Sequence, residues 1–293
     1  MPLKTVRKII LALTLTLLAF MTSLVLATGR VEPINELNVF GDSLSDVGQV
    51  FQATGGMYPP NPTYFQGRYS NGWVWVEYLA DRLHLSSRQT NNFASGGATT
   101  GSDRNSLVPG LLAQVQLFTK THQQPNPNAL YVLWAGANDY LQGISNATVS
   151  VENVARAITS LADMGAKNIL VANLPDLGQL PATRSSNNSV SLSGLTQAHN
   201  QRLRRSLKLL SQQYPNLQIV TMDANKLYFE ASANPAAFCF TNVINACRSG
   251  TRACSNPEQY LFWDSIHPTT AAHRILAERA FSVLKTGHLT ASR

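Results

Sequence analysis

The stretch Val39-Phe40-Gly41-Asp42-Ser43-Leu44-Ser45-Asp46-Val47-Gly48 closes an apolar β-type run (Leu37, Val39, Phe40) and breaks at once into Gly-Asp-Ser. A buried strand that ends this way lifts a serine hydroxyl into the crevice beyond its carboxyl end. A hydroxyl is a weak nucleophile at its own pKa. A catalytic Ser43 therefore requires a base, an orienting carboxylate and oxyanion donors from elsewhere in the chain.

Working outward from Ser43, four more short, mostly apolar runs fall roughly at Thr90–Ala94, Leu130–Ala135, Asn168–Asn173 and Gln218–Asp223. Such runs suit strands buried on both faces. Between them lie stretches with helical spacing: Leu111, Leu112, Val115 and Phe118 after Pro109; Val151, Val154, Ala155, Ile158 and Leu161 before Gly165; Leu195, Leu203, Leu207 and Leu210 before Pro215. Trp73–Ala80 reads as a further helix lying on the core. The pattern is strand–helix repeated five times, which predicts one α/β domain built on a doubly wound parallel sheet. No repeat, low-complexity tract or Pro/Gly/Ser linker divides the chain.

In such a sheet, ligands bind at the segments immediately beyond the carboxyl ends of the strands. The second strand is succeeded by Ser95-Gly96-Gly97-Ala98, whose glycines let a backbone N–H approach a ligand without a Cβ in the way. The third is succeeded by Gly136-Ala137-Asn138-Asp139, whose Asn138 can point an amide N–H at a developing oxyanion. Near the end, Phe262-Trp263-Asp264-Ser265-Ile266-His267-Pro268 puts an Asp and a His three residues apart in a turn that leads into a helix, with Pro268 at its start. Asp264 can then fix the tautomer of His267 and support its cationic form, and His267 can take the proton from Ser43. The other histidines are scattered, with no HExxH or Cys/His cluster, so neither a metal nor an organic cofactor is expected.

These motifs, taken together, resemble the GDSL family of esterases and lipases, also called SGNH hydrolases, whose four signature residues match here as Ser43, Gly97, Asn138 and His267. The resemblance extends to Gly67–Gly72 and to the ending Phe262–Thr269. It implies a flavodoxin-like three-layer α/β/α fold with a five-stranded parallel sheet. It also implies a Ser43–His267–Asp264 triad, with an oxyanion hole from the N–H of Ser43, the N–H of Gly97 and the side chain of Asn138. Gln49 stands where many relatives carry Asn, a departure that touches none of these atoms. The Gly-x-Ser-x-Gly elbow of α/β-hydrolases is absent, since Gly41-Asp42-Ser43-Leu44-Ser45 ends in Ser.

The formal charge of +7 includes Lys4, Arg7 and Lys8; without them 20 basic residues face 16 acidic ones. Only Arg202-Leu203-Arg204-Arg205 forms a basic run, and on a helix it reads as a solvated face, so nucleic acid is set aside as a partner. Residues 1–27 read as a signal peptide: a basic start, an apolar stretch from Ile9 to Leu26 and Val25-Leu26-Ala27 as the cleavage site. That leaves a hydrolase domain over 28–293, secreted or periplasmic; the rival reading is an uncleaved amino-terminal membrane anchor. Three cysteines, Cys239, Cys247 and Cys254, precede the Asp264–His267 turn, and a disulfide between two of them would tie that loop down, leaving one thiol over. The Pro-rich segment Gly55–Phe65 either forms an apolar substrate wall or packs on its own aromatic side chains.

The expected activity is hydrolysis of a small-molecule or lipid ester, with transient membrane-surface contact and no protein partner. Acyl transfer from a lipid donor uses the same residues. A non-catalytic lipid- or carbohydrate-binding module on the same fold is the third reading.

Overall fold

The computed structural model describes residues 33–103, 108–122, 124–250 and 252–290. The expected signal peptide, 1–27, lies outside the described residues. In chain order the elements are β1 (Glu36–Gly41), α1 (Gln49–Ala53), α2 (Trp75–Arg82), β2 (Thr90–Asn92), α3 (Leu111–Thr121), β3 (Ala129–Trp134), α4 (Ala137–Leu141), α5 (Ala147–Met164), β4 (Asn168–Ala172), α6 (Ser189–Gln213), β5 (Gln218–Met222) and α7 (Ala224–Ala233). The last part carries β6 (Asn242–Ala246), β7 (Arg248–Ser249), β8 (Arg252–Ala253), β9 (Tyr260–Phe262) and α8 (Thr270–Thr286).

The five expected strands form one sheet, all parallel, in the order β2-β1-β3-β4-β5. Period-two alternation sends their side chains to two separate cores. Leu37, Val39, Leu130, Val132 and Leu170 pack with Trp75, Val76 and Leu79 of α2 and with Leu276, Ala280 and Leu284 of α8. Phe40, Tyr131, Leu133, Ile169 and Val171 pack with α3, α5 and α6 through Leu111, Val115, Phe118, Ile158, Leu161, Leu203 and Leu207. Each such side chain contributes about 1.5–3 kcal/mol on burial. The result is the three-layer, flavodoxin-like α/β/α arrangement.

Local chemistry sets the ends of the helices. Asn146 caps α5 by accepting from the Thr148 N–H at 2.8 Å, and Gly165 closes it at φ 106. Thr269 caps α8, accepting from the Ala272 N–H at 3.2 Å, so Pro268 stands just outside the helix instead of in its first turn. The outer strands depart from the buried-on-both-faces expectation. β2 is three half-buried polar residues, Thr90-Asn91-Asn92, and β5 exposes Gln218 and Thr221, because each has a neighbour on one side only. The helix expected from Trp73 begins at Trp75.

Beyond the main sheet, β6 pairs in parallel with β9, and β7 and β8 form a small hairpin. A disulfide joins Cys247 to Cys254, leaving Cys239 exposed and free. Among the described residues no helix is long and apolar enough to cross a membrane.

Candidate active site

The strand order reverses between β1 and β3, and a crevice opens at the carboxyl ends of two strands whose connections leave in opposite directions. Ser43 comes after β1 and Asn138 after β3, so the topology alone brings them together. The end of β1 is fixed by Gln114, a buried side chain on α3. Its Oε1 accepts from the Gly41 N–H at 2.9 Å, and its Nε2 donates to the carbonyls of Gly41 (2.9 Å) and Pro109 (2.8 Å). Gly41 must lack a Cβ, because one would strike the carbonyl oxygen of Trp134 on the neighbouring strand. The turn then closes through Ser45 N–H to Asp42 O at 3.0 Å and Leu44 N–H to Asp42 Oδ1 at 3.0 Å. Trp75 Nε1 anchors its far side by donating to Ser45 Oγ at 3.0 Å.

A second turn supplies the base. The Trp263 N–H donates to the His267 carbonyl at 2.8 Å, and Asp264 Oδ1 accepts from the backbone N–H of Ile266 (2.9 Å) and of His267 (2.7 Å). Asp264 Oδ2 lies 2.7 Å from His267 Nδ1, while His267 Nε2 lies 2.9 Å from Ser43 Oγ. A carboxylate only accepts, so Nδ1 carries the proton and Nε2 faces the serine as acceptor. Burial raises the Asp264 carboxyl, but the charge and hydrogen bond of His267, the Tyr64 hydroxyl and the backbone donors pull it down to about 2. It is ionised at neutral pH, as an imidazolium partner requires.

Asn138 lines the same cleft as Ser43 and His267, together with Asp42, Leu44, Leu180 and Tyr228. Its Nδ2 donates one hydrogen to the Ala98 carbonyl at 2.9 Å, which fixes the amide plane and leaves the second hydrogen uncommitted. Asp139 locks the base of this turn, accepting from the Thr100 N–H at 2.9 Å and from the hydroxyls of Thr100 (2.6 Å) and Ser150 (2.7 Å). Gly97 is exposed on the adjoining loop at φ +85, where an added Cβ would meet nothing, and it is not among the residues that line the Ser43 cleft. Asp46 ties that loop to the serine turn, accepting from the N–H groups of Gly96 (2.8 Å), Gly48 (2.7 Å) and Gln49 (2.6 Å). Gln49 itself braces β2 by donating to the Asn92 carbonyl at 2.7 Å.

Several residues outside the expected triad and oxyanion hole support the site. The segment Gly67–Gly72 buttresses the histidine turn: Ser70 Oγ donates to the Pro268 carbonyl at 2.9 Å, and Asn71 Oδ1 accepts from the Thr270 N–H at 2.9 Å. The Tyr69 ring lies 5.2 Å from the imidazole of His267, and Gly96 makes room for that ring. Gln114 had a legible signal, a lone polar side chain on the apolar face that Leu111, Val115 and Phe118 define. Tyr64 had none; it donates to Asp264 Oδ2 at 2.7 Å across a separation of 200 residues. Among the described residues no group of three or more His, Cys, Asp or Glu side chains is placed to hold a metal ion.

Asp42 is 2 % exposed, and burial pushes its carboxyl from the ordinary 3.8 up to about 7, against the pull of the Leu44 N–H and of His267. Between those two values the folded chain binds more protons than the unfolded one, so the contribution is full below 3.8 and is lost as pH rises through about 7. Asp42→Asn keeps the shape and removes the ionisation. Its unfolding free energy in urea should gain on that of wild type by roughly 2–4 kcal/mol between pH 4 and pH 8. A difference that stays flat over that interval would rule out Asp42 as the titrating group.

The sequence profile of the family described as GDSL-like lipase/acylhydrolase matches residues 37–280. A phosphatidylcholine-sterol acyltransferase of Aeromonas hydrophila is 30 % identical, over 85 % of this chain and 89 % of its own length. A secreted effector protein of Salmonella typhimurium is 31 % identical over 83 % of this chain, which spans 62 % of that protein. Among solved structures, an α/β-hydrolase enzyme from the metagenome of Lake Arreo, Spain, superimposes with a TM-score of 0.51 at 18 % identity, covering 90 % of this chain and all of that one; this likeness concerns the fold alone.

Proposed function

The chain belongs to the family of GDSL-like lipases and acylhydrolases, and on that premise we propose that it is an exported carboxylic ester hydrolase working through a Ser43 acyl-enzyme. The observation that carries the proposal is His267 standing between Ser43 Oγ at 2.9 Å and Asp264 Oδ2 at 2.7 Å. Ser43 Oγ attacks the ester carbonyl while its proton passes to His267 Nε2, and the tetrahedral oxyanion is held by Asn138 Nδ2–H and the Ser43 N–H in the cleft, with the Gly97 N–H as a third donor reaching in from the adjoining loop. Collapse breaks the ester C–O bond, and His267 returns the proton to the leaving alkoxide. Water activated by the same imidazole then releases the acid. Export rests on residues 1–27 acting as a cleaved signal peptide that leaves 28–293 as the working domain.

A lipid-like acyl ester is the substrate class we favour. The space at Ser43 is small, about 30 Å³, but the cleft shares Leu180 and Tyr228 with a cavity of about 470 Å³. That volume falls in the usual range for small-molecule sites, and Phe229, Val243, Ile244 and Phe262 give it apolar walls. An acyl chain fixed at Ser43 can run past Leu180 into it. In a p-nitrophenyl ester series from acetate to palmitate, wild type should prefer the longer acyl chains. Leu180→Trp, which adds bulk to the wall the two spaces share, should lower kcat/KM for long chains by about 10- to 100-fold while leaving acetate within about threefold. Equal losses along the series would place the acyl chain elsewhere.

One observation favours a second reading. The Aeromonas relative bears the name of an acyltransferase, and an acceptor alcohol can replace water in the second half of the cycle without any change in the residues used. Product analysis with and without an acceptor alcohol separates the two: a new ester at the expense of free acid means transfer.

A further inference from the structure

We propose that Tyr64 and Arg248 are positioning residues that hold the Asp264 carboxylate in place for His267, so that the Pro-rich loop and the disulfide-closed hairpin both act on Ser43 through one side chain. The proposal deepens the Ser43 reading and rests on it. Asp264 Oδ2 accepts from Tyr64 Oη and from His267 Nδ1, each at 2.7 Å, while Oδ1 takes two backbone N–H groups. Four donors leave the carboxylate no free lone-pair site in which to turn. Tyr64 is 9 % exposed in a small apolar cluster with Cys247 and Trp263. Burial and the neighbouring carboxylate hold its hydroxyl well above an ordinary phenol, so it remains a donor.

Behind Tyr64 stands Arg248. Its Nη1 donates to Tyr64 Oη at 3.2 Å, and its guanidinium carbon lies 5.0 Å from the Tyr64 ring centroid. A hydroxyl that accepts from a cation donates more strongly in turn, so the positive charge is felt at Asp264 through Tyr64. Among the described residues no carboxylate lies within ion-pair distance of Arg248, and its Nε is buried without a hydrogen-bond partner. A surface arginine avoids both costs, so this one is held by what surrounds it.

The hairpin supplies the hold. Cys247 N–H donates to the Phe262 carbonyl at 2.9 Å, Arg248 N–H donates to the Trp263 carbonyl at 2.8 Å, and the Cys247–Cys254 disulfide closes the hairpin on itself. Its attachment points are the two residues immediately before Asp264. A carboxyl that is 7 % exposed tends toward its neutral form, which would neither fix Nδ1–H nor support an imidazolium. His267, the Tyr64 hydroxyl and the backbone donors oppose that tendency, and Arg248 adds to their opposition through Tyr64.

The test measures kcat and KM on a short p-nitrophenyl ester, per Ser43 titrated with a fluorophosphonate, so that unfolded protein does not count. Tyr64→Phe should lower kcat about 10-fold with KM within about twofold, and Arg248→Met should lower kcat about 5-fold. Arg248→Lys should recover most of that loss. The double variant should be no slower than Tyr64→Phe alone, since Arg248 works through Tyr64. The proposal is overturned if Tyr64→Phe turns over within twofold of wild type, if the two losses multiply, or if each variant loses titratable sites instead of rate. Ser43→Ala, which has no serine to titrate and is assayed per mole of protein, serves as the control: should it stay active, the nucleophile assignment fails, whereas an inactive control beside an unaffected Tyr64→Phe sinks only the positioning role.

Discussion

Ser43→Ala should lower kcat on any ester the protein cleaves by about 100,000-fold while leaving thermal stability within a few degrees of wild type. The loss is large because the hydroxyl is the atom that becomes covalent. Without it no acyl-enzyme forms, and His267 and the oxyanion donors can assist only direct attack by water. The fold should not notice the change. The turn that presents Ser43 is held by Gln114 on both polar groups of Gly41, by the Asp42–Leu44 and Asp42–Ser45 contacts and by Trp75 on Ser45. The Ser43 hydroxyl itself bonds to His267. Initial rates beside a melting curve decide the matter. A folded variant that retains more than about one per cent of the activity would remove Ser43 from the nucleophile's role, and with it the acyl-enzyme.

Much of this arrangement could be read from local sequence because its parts obey local rules. The inner strands of the sheet, β1, β3 and β4, are short apolar runs, and the residues just beyond a strand's carboxyl end land at the ligand-binding edge wherever the strand falls in the order. The triad pair Asp264 and His267 lies within one turn, where spacing alone brings the two side chains together. The edge strands were harder, since the half-buried Thr90-Asn91-Asn92 looks no more like a strand than like a polar loop. Tyr64 and Arg248 were illegible for a different reason. Their relation to Asp264 depends on how a Pro-rich loop, a hairpin and a turn fold against each other, and no periodicity encodes that meeting. The Pro-rich loop had two readings, as substrate wall or as self-packed segment. Tyr64 does neither and turns to the carboxylate behind the imidazole, while Met57 and Tyr58 of the same loop remain exposed. The disulfide was open among three cysteines because nothing in a linear order says that Cys247 and Cys254 bracket a hairpin while Cys239 stays on the surface.

Asp264→Asn should cost about 10,000-fold in kcat with the protein still folded, because the amide forces the wrong tautomer on His267. The carboxylate serves two pairs of donors, backbone N–H groups of Ile266 and His267 on Oδ1 and the Tyr64 hydroxyl with His267 Nδ1–H on Oδ2. An amide has one oxygen and so can serve one pair. Turning its NH2 toward the backbone would set donors against donors at a buried turn, which costs about 1–3 kcal/mol per unpaired group. The oxygen therefore stays on the backbone, and the NH2 faces Tyr64 and His267. Tyr64 can rotate its hydroxyl and accept. His267 can accept at Nδ1 only by moving its proton to Nε2, where it points at Ser43 and leaves the serine without a base. A fall in kcat below about tenfold would mean that the imidazole keeps its working tautomer without help from Asp264. The same variant should react with a fluorophosphonate at Ser43 more slowly by a similar factor, since phosphonylation needs the same proton transfer; a normal labelling rate beside a slow ester rate would place the defect in a later step.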